Sequence, residues 1–373
     1  MDEIWEDIYE QESAKEILKG IYDSRRVPHA FLFYGPEGVG KFFAALQFAK
    51  LLYSKPDVPG HENILKKISH LQEPYIKLVM PLPRGRGESG DDSSTEKLTK
   101  EQLESITEEI NKKASNPYHK IIIENANTIK INSIRDIKKF LDIGYSEIPY
   151  RFVFIVDADL MNDQAQNALL KSLEEPPEGI IFFVITSDKE KLLPTIQSRC
   201  WTINFEPLSN KSISQILVNN FRIDGDLAEK AAYFSNGSVT QAVYLANKEF
   251  KKLLEGTISF LRYSIGKRYQ SAYKELTNIM ENQSEEEYKL VINLMKNWLN
   301  DVLRVRFSYD KFYFNEYEDT FTKFNDRYSE SNIQRIITNL ELLETYYARN
   351  LNLNVLILNV IFELATLSSR NRN

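Results

Sequence analysis

Hydrophobic residues in the first half of the chain form short continuous runs, and the segments between these runs carry apolar residues at helical spacing. A continuous run predicts a strand buried on both faces, because a half-exposed strand alternates apolar and polar residues. Strands are predicted at residues 31–34, 75–80, 119–124, 151–157, 180–186 and, more briefly, 201–205. Strands that alternate with helices form a parallel sheet covered on both faces, so the sequence predicts an α/β domain.

The strand pattern stops after Pro207, and the rest of the chain is predicted to be helical. Short helices around a turn at Asn236-Gly237 have the size of a small helical lid. The remaining chain is predicted to form a separate all-α domain. The predicted domains are residues 1–207 for the α/β part, 208–248 for the lid and 249–373 for the all-α part.

A glycine-rich segment, Gly35–Lys41, joins the first predicted strand to a helical pattern. This arrangement predicts a phosphate-binding loop, in which backbone N–H groups and the lysine ammonium hold phosphate oxygens. One position departs from the pattern, because Phe42 stands where a Ser or Thr hydroxyl normally holds Mg²⁺. The sequence leaves open whether the loop holds ATP or ADP, a phosphate, or nothing. The candidate loop residues are Gly35, Gly38, Gly40 and Lys41.

Two further candidates stand at the ends of predicted strands. Asp157 occupies the place of the acidic partner of a phosphate loop, although an Asp at the end of a strand is also a common helix cap. A working ATPase would follow it with Glu to orient the attacking water, whereas this chain has Ala158. Asp159 is one residue too far and is expected to point elsewhere. Thr186 ends the next strand, where its hydroxyl reaches either a phosphate or a turn.

Arg199 follows the last crossover of the predicted sheet, and the sequence shows no obvious carboxylate partner near it. An arginine at the edge of a subunit can stabilise the charge on a phosphate that a neighbouring subunit binds. A surface salt bridge explains the same spacing equally well.

Net charge and cysteine content exclude some functions. The chain of 373 residues has a formal net charge of −6, so its whole surface is not built to coat DNA. A single cysteine, Cys200, excludes an internal disulfide and a cysteine zinc cluster, and we predict no zinc. The start of the chain is acidic and no apolar run is long enough to span a membrane, so we predict a cytoplasmic protein.

Two segments have open interpretations. Residues 84–94 lack apolar side chains and are predicted to form a mobile, solvated loop, in which Arg84 and Arg86 could also contact DNA. Aromatic residues concentrate at 307–328. Helix packing or a subunit interface is favoured there over base stacking, because interleaved acidic residues would repel a phosphate backbone.

Three stretches resemble the AAA+ subunits of bacterial DNA polymerase III clamp loaders, namely Ala168–Pro177, Ile185–Asp188 and Thr195–Cys200. The run Leu-Leu-Lys-Ser-Leu-Glu-Glu-Pro-Pro and the tripeptide Ser-Arg-Cys are specific to that family. The resemblance extends over the α/β part of the chain. It implies an AAA+ P-loop domain and makes the all-α part an oligomerising collar.

Four positions depart from the ATP-hydrolysing members of this family, at Glu10, Phe42, Ala158 and Thr240. Those members carry a glycine near the adenine pocket, a metal-binding hydroxyl, a catalytic Glu and a lid arginine. The resemblance therefore implies a subunit in a hetero-oligomeric ring that needs no cofactor, does not hydrolyse ATP and supplies Arg199 in trans to an adjacent ATP site. The implied partners are the clamp-loader ATPase subunits, the clamp-opening subunit and, through the complex, the sliding clamp and primed DNA, with no membrane.

Two other functions stay open. One is an active AAA+ ATPase in which other ligands compensate for Phe42 and Ala158. The other is a repair or regulatory P-loop protein that is unconnected with replication.

Overall fold

The computed structural model describes residues 5, 7–54, 61–143, 148–247, 250–280, 285–309, 312–314, 317–347 and 352–368. The chain divides into two compact units. The first contains residues 1–216 and 237–240, and the second contains residues 217–236 and 241–373. The three-domain division of the sequence, with a separate lid at 208–248, stays a prediction.

The first unit is built on a five-stranded sheet in which every pairing is parallel. Its strands are β1 (Ala30–Tyr34), β2 (Ile76–Val79), β3 (Arg151–Ile155), β4 (Ile180–Thr186) and β5 (Trp201–Asn204), in the order β2-β3-β4-β1-β5. Its helices are α1 (Glu12–Ser24), α2 (Lys41–Leu52), α3 (His61–Ser69), α4 (Lys100–Ser115), α5 (Ile131–Asp142), α6 (Asp163–Glu174) and α7 (Pro194–Gln197). The predicted α/β fold with a parallel sheet is confirmed.

The register of the sheet brings the candidate site together. Tyr34 of β1 pairs with Thr186 of β4, and Ile155 of β3 pairs with Val184 of β4. The carboxyl ends of these three strands therefore lie at one edge, which is where ligands bind in open α/β sheets. The glycine-rich loop, Asp157 and Thr186 all follow or end these strands at that edge.

Alternating residues of β1 contribute to two separate layers of the core, because successive side chains of a strand point to opposite faces. Ala30 and Leu32 pack in a cluster with buried residues of α5 and α6. Phe31 and Phe33 pack on the other face, where Phe183 stacks on Phe31 with ring centroids 5.3 Å apart. Burial on both faces explains why the strand is continuously apolar.

The buried strand predicted at residues 119–124 is wrong, because that segment has no regular structure. The positions on either side of β3 are already taken by β2 and β4. Ile122 is 70% exposed, and its N–H donates to the Glu109 carboxylate at 2.9 Å instead of to a strand. Ile121 and Ile123 pack partly buried against the cluster around Ile106 of α4. A run of isoleucines therefore covers a helix here.

The loop at residues 84–94 is anchored, which corrects the prediction of a solvated, mobile segment. Glu88 is buried, and its carboxylate accepts hydrogen bonds from Gly85 N at 2.8 Å and Lys130 Nζ at 2.7 Å. Arg84 and Arg86 are exposed. A buried acidic residue thus fixes a segment that has no apolar side chain to bury.

Every regular element among the described residues of the second unit is a helix, as the sequence predicts. Helix α8 (Asn210–Phe221) starts in the first unit and ends in the second, as does the helix at Val239–Asn247. The following helices are α9 (Gly225–Tyr233), α10 (Val239–Asn247), α11 (Phe250–Ile265), α12 (Tyr269–Ile279), α13 (Glu285–Arg306), α14 (Glu318–Arg327), α15 (Ile333–Tyr347) and α16 (Leu353–Ala365). None of the described helices is long and apolar enough to cross a membrane.

The aromatic segment at 307–328 packs mainly into this unit. Phe321 and Phe324 of α14 are buried against Trp298 of α13, with ring centroids 5.8 Å and 5.5 Å from it. Phe307 and Tyr309 are exposed, and residues 310, 311, 315 and 316 lie outside the described part of the chain. The described helix contacts agree with the packing interpretation.

Candidate functional site

The glycine-rich loop between β1 and α2 needs glycine at two positions because other parts of the chain approach it closely. Gly35 has φ 138°, and a Cβ there would lie 2.1 Å from the Phe205 carbonyl oxygen. Gly38 has φ 73°, and a Cβ there would lie 2.6 Å from Thr240 N. The third glycine, Gly40, precedes the first residue of α2. The loop is therefore a tight turn that ends at the N-terminus of a helix, which favours anions.

Lys41 is the first residue of α2, and its side chain is only 7% exposed. Its ammonium donates hydrogen bonds to the carbonyl oxygens of Gly35 and Pro36 within its own loop. Burial lowers the pKa of Lys41 to about 8, although the carboxylates of Glu37 and Asp157 oppose that shift. The lysine is thus a buried cation, bonded to neutral oxygens at the base of the loop.

Phe42 is buried where a metal-binding hydroxyl is expected. Its ring packs on Phe154 of β3 with ring centroids 5.4 Å apart. The Lys113 ammonium, from the last turn of α4, lies 4.5 Å from the centroid of the Phe42 ring. Lys113 also donates to the carbonyl oxygens of Pro117 at 2.8 Å and His119 at 2.7 Å.

Sequence reasoning missed Lys113. It lies in a polar helical segment among other lysines, and nothing in its spacing separates it from a solvated residue. Its position depends on the turn after α4, which presents two carbonyl oxygens to the ammonium. Only the three-dimensional structure shows this arrangement.

Asp157 follows β3 in the left-handed conformation, with φ 54°. Burial and the nearby Glu37 raise the pKa of Asp157 to about 6, against the opposing influence of Lys120. The Lys120 ammonium lies 3.2 Å from the Glu37 carboxylate. The Asp157 carboxylate therefore lies beside the glycine-rich loop, near one negative and one positive side chain, Glu37 and Lys120.

Asp159, expected from the sequence to point elsewhere, binds the end of β4. Asp159 Oδ1 accepts hydrogen bonds from Thr186 Oγ1 at 2.6 Å and from Ser187 N at 3.2 Å. Thr186 Oγ1 in turn accepts from Asp188 N at 3.0 Å, so this hydroxyl caps a turn as one interpretation predicted. Asp159 thus fixes the end of β4 beside the loop.

A cavity of about 70 Å³ opens between the loop and the ends of the strands. Five of the predicted site residues line it, and so do several residues not singled out from the sequence. The predicted ones are Gly38, Gly40, Lys41, Asp157 and Thr186, and the others include Phe42, Lys113, Tyr118, Lys120 and Thr240. Gly35 and Arg199 do not line the cavity, although the Gly35 carbonyl oxygen holds Lys41.

The donor atoms of this cavity do not fit Mg²⁺. This ion requires near-octahedral oxygen ligands, and the Phe42 ring with a lysine ammonium beside it supplies none. Ala158 is fully buried and has no polar side chain. Within the described residues, no three His, Cys, Asp or Glu side chains are grouped to hold a metal ion.

Residues before α1 hold the loop to the end of the sheet. Gln11 Nε2 donates to the carbonyl oxygens of Val39 at 3.3 Å and Glu206 at 2.7 Å. Glu10 has φ 53°, and its carboxylate accepts from Ser209 N at 3.1 Å and Ser212 Oγ at 2.5 Å. Glu10 therefore caps the start of α8, a role that its position in the sequence did not suggest.

Arg199 follows α7 and is not left without a carboxylate, which corrects the expectation from the sequence. Its Nη2 donates to Glu174 Oε1 at 2.6 Å, and its Nη1 donates to the Thr195 carbonyl oxygen at 2.8 Å. The side chain is 33% exposed. Both interpretations of this residue remain compatible with the structure, since a surface ion pair can be exchanged for another acceptor.

Comparison with known proteins gives a family match that lies within the first unit and several similar relatives. A family model described as "DNA polymerase III, delta subunit" matches residues 10–209. Subunit delta' of DNA polymerase III from Bacillus subtilis is 29% identical over 253 residues, which cover 66% of this chain and 63% of that protein. Subunit delta' from Escherichia coli is 31% identical over 139 residues, which cover 37% of this chain and 42% of that protein.

A third relative is DNA polymerase III subunit tau of Bacillus subtilis. It is 26% identical over 212 residues, which cover 56% of this chain and 30% of that protein. The chain thus matches less than two thirds of the length of each of these three relatives.

Proposed function

The chain belongs to the DNA polymerase III, delta subunit family, and from this we propose that it is a non-hydrolysing clamp-loader subunit of the delta-prime type. In this role it assembles with ATPase subunits in a hetero-oligomeric ring that loads the sliding clamp on primed DNA. It is a structural subunit of the ring and provides one arginine to a neighbouring ATP site.

The observation that carries the proposal is the environment of Phe42. A phosphate loop that hydrolyses ATP holds Mg²⁺ through the hydroxyl after its lysine. Here that position is an aromatic ring buried against Phe154, with the Lys113 ammonium on it. With Ala158 in place of a water-orienting Glu, the site lacks two groups that ATP hydrolysis needs.

Arg199 is the residue that we assign to the neighbouring ATP site. It does not line the cavity of its own subunit, and its guanidinium is partly exposed. Guanidinium groups bind phosphate oxygens in bidentate geometry, and an arginine supplied in trans can raise the rate of phosphoryl transfer by ~10³ to 10⁵. The ion pair with Glu174 orients the side chain until the neighbouring subunit presents its nucleotide.

From the family we also propose the partners of this chain. They are the ATPase subunits, the clamp-opening subunit and, through the whole complex, the sliding clamp and DNA. Such a protein would work in the cytoplasm.

Two measurements test the proposal. The purified chain should show no Mg²⁺-dependent ATP hydrolysis, and a steady turnover that disappears in Lys41→Ala would support the alternative of an active AAA+ ATPase with atypical metal ligation. The second measurement uses a complex reconstituted with the ATPase and clamp-opening subunits of the same organism. Arg199→Ala should assemble normally and lower DNA-stimulated ATP hydrolysis by at least tenfold.

A matched control is available in the same unit. Arg26 is exposed, and Arg26→Ala removes the same charge without touching the proposed contact. The control complex should hydrolyse ATP at the wild-type rate. Equal rates for Arg199→Ala and wild type would remove Arg199 from the mechanism, and failure to assemble with the ATPase subunits would contradict the ring role.

A further inference from the structure

The position that holds Mg²⁺ in an active phosphate loop is next to a fixed cation in this chain. The Lys113 ammonium lies 4.5 Å from the centre of the Phe42 ring, and both residues line the cavity with Lys41. The ammonium is held there by the carbonyl oxygens of Pro117 and His119. Since both acceptors belong to the turn after α4, the cation is positioned before any ligand arrives.

Two buried cations in this cavity make no direct ion pair, although the Asp157 carboxylate acts on both from a greater distance. Lys41 and Lys113 are each 7% exposed and donate hydrogen bonds to neutral carbonyl oxygens. In the described part of the chain, no carboxylate oxygen lies within 4.0 Å of either ammonium nitrogen. Buried charges are normally paired, so the site is electrostatically suited to an anion.

The Tyr118 hydroxyl is a further buried group at the cavity. Tyr118 is 3% exposed, and its oxygen makes no hydrogen bond of 3.5 Å or less with another described residue, although the Tyr9 backbone lies near it. This oxygen lies 3.5 Å from the place where a Cβ would stand on Gly40, so it is directed at the loop. A buried hydroxyl usually has a partner, and an oxygen of a bound ligand can supply one here.

From these contacts we infer that the cavity binds a phosphate group without a divalent metal, with the Lys113 ammonium taking the place of Mg²⁺. The phosphate would accept hydrogen bonds from the loop N–H groups, Lys41 and the Tyr118 hydroxyl. The cavity of about 70 Å³ has room for several water molecules and thus for one such group. The phosphate comes either from inorganic phosphate or from the end of a nucleoside diphosphate.

The carboxylates around the cavity limit the charge of the ligand. Asp157 lines the cavity without a hydrogen bond to either lysine, and Glu37 is paired with Lys120. A lysine supplies one positive charge where Mg²⁺ would supply two, so the site favours a ligand of low negative charge. We therefore expect weaker binding of ATP than of ADP.

This inference goes beyond the proposed function, because it concerns the chain's own loop and does not depend on Arg199. It is tested on the full-length chain by isothermal titration calorimetry with inorganic phosphate, ADP and ATP, each in EDTA and in Mg²⁺. Saturable binding of phosphate or ADP is expected in EDTA, and Mg²⁺ should change the affinity by less than twofold. Competition between phosphate and ADP then shows whether the free anion or the nucleotide binds better.

Two variants separate the role of Lys113 from general effects. Lys113→Met should weaken phosphate or ADP binding at least tenfold, while Lys112→Met, which removes an exposed lysine of the same helix, should bind as wild type does. Phe42→Ser returns the hydroxyl and should make ADP binding at least fivefold tighter in Mg²⁺ than in EDTA. If Lys113→Met does not fold, judged by circular dichroism, the Phe42→Ser comparison decides alone.

The inference is overturned if neither phosphate nor ADP binds in EDTA, if wild-type binding requires Mg²⁺, or if folded Lys113→Met binds with unchanged affinity. None of these results would affect the Arg199→Ala measurement on the reconstituted complex. A failure of that measurement would likewise leave phosphate binding intact, so the two proposals can fail separately.

Discussion

The Arg199 guanidinium donates from Nη2 to the Glu174 carboxylate at 2.6 Å. Both side chains are partly exposed, 33% for Arg199 and 47% for Glu174, so we expect the pair to contribute about 0–1 kcal/mol. A nucleotide phosphate in a neighbouring subunit would be a stronger acceptor for the same guanidinium. The ion pair therefore orients the Arg199 side chain, and the guanidinium can still exchange Glu174 for a phosphate.

Glu174→Gln tests this exchange. Removing the carboxylate charge leaves Arg199 free to reach another acceptor, so ATP hydrolysis by the reconstituted complex should stay equal or rise, by no more than about fivefold. Glu175→Gln, at the next residue of the same motif, is the control and should have no effect. A fall as large as that of Arg199→Ala would show that Glu174 is needed to position the arginine.

Glu10 is expected to contribute to stability through its cap on α8. Glu10→Ala should lower the free energy of unfolding by about 1 kcal/mol, as the loss of a helix cap does. Glu10→Gly should lower the free energy of unfolding less than Glu10→Ala does, because glycine adopts φ 53° without strain. Urea denaturation measures both, with the exposed Glu12→Ala as a control close to wild type. Equal stability of all three variants would contradict the capping role.

The lowered pKa of Lys113 should make the stability of the folded chain depend on pH. Burial lowers its pKa from 10.5 to about 8 in the folded chain, against the opposing effect of Asp157. Between these values the unfolded chain binds a proton that the folded chain has released, so stability rises with pH. From pH 7.5 to 9.5, wild type should gain about 2 kcal/mol relative to Lys113→Met.

Chemical denaturation at several pH values measures this difference. Lys112→Met should run parallel to wild type in the same window, because hydrogen bonds with Glu108 and Glu109 raise the pKa of Lys112 instead of lowering it. A Lys113→Met curve that also runs parallel to wild type would mean that Lys113 does not titrate there.

Glu88 is expected to hold the loop at residues 84–94. Glu88→Ala leaves the partly buried Lys130 ammonium without its ion pair, so the free energy of unfolding should fall by about 3 kcal/mol. The exposed Arg84 and Arg86 should then be cut faster by trypsin, as followed by mass spectrometry. Asp91→Ala, at a fully exposed position of the same loop, should leave the digestion rate unchanged.

Continuous apolar runs in the sequence correctly predicted the strands that are buried on both faces. The strand at 180–186 is buried along its whole length, and its six consecutive apolar residues next to turn residues predict a buried strand. The isoleucines at 121–123 have the same local pattern, but the neighbouring strands of the sheet leave no position for them. Sheet order is a property of the whole chain, and a short apolar run carries no information about it.

The same limit applies to the site. The positions of Gly38, Lys41, Asp157 and Thr186 follow from spacing along a strand, a loop and a helix, so the sequence brings them to one edge. Lys113 reaches this edge through the turn after α4, from a helix with no motif. Charged side chains that act across such distances, as Glu174 does on Arg199, leave no periodic signal.

The close approach of Thr240 N to Gly38 has a consequence for the newly made chain. The ribosome completes all five strands and the loop by residue 205, but the segment 237–240, which belongs to the same compact unit, is made later. Until then Thr240, which lines the cavity, is missing from the nascent unit. A shortened protein that ends at residue 207 would keep the whole sheet and lack this lining residue.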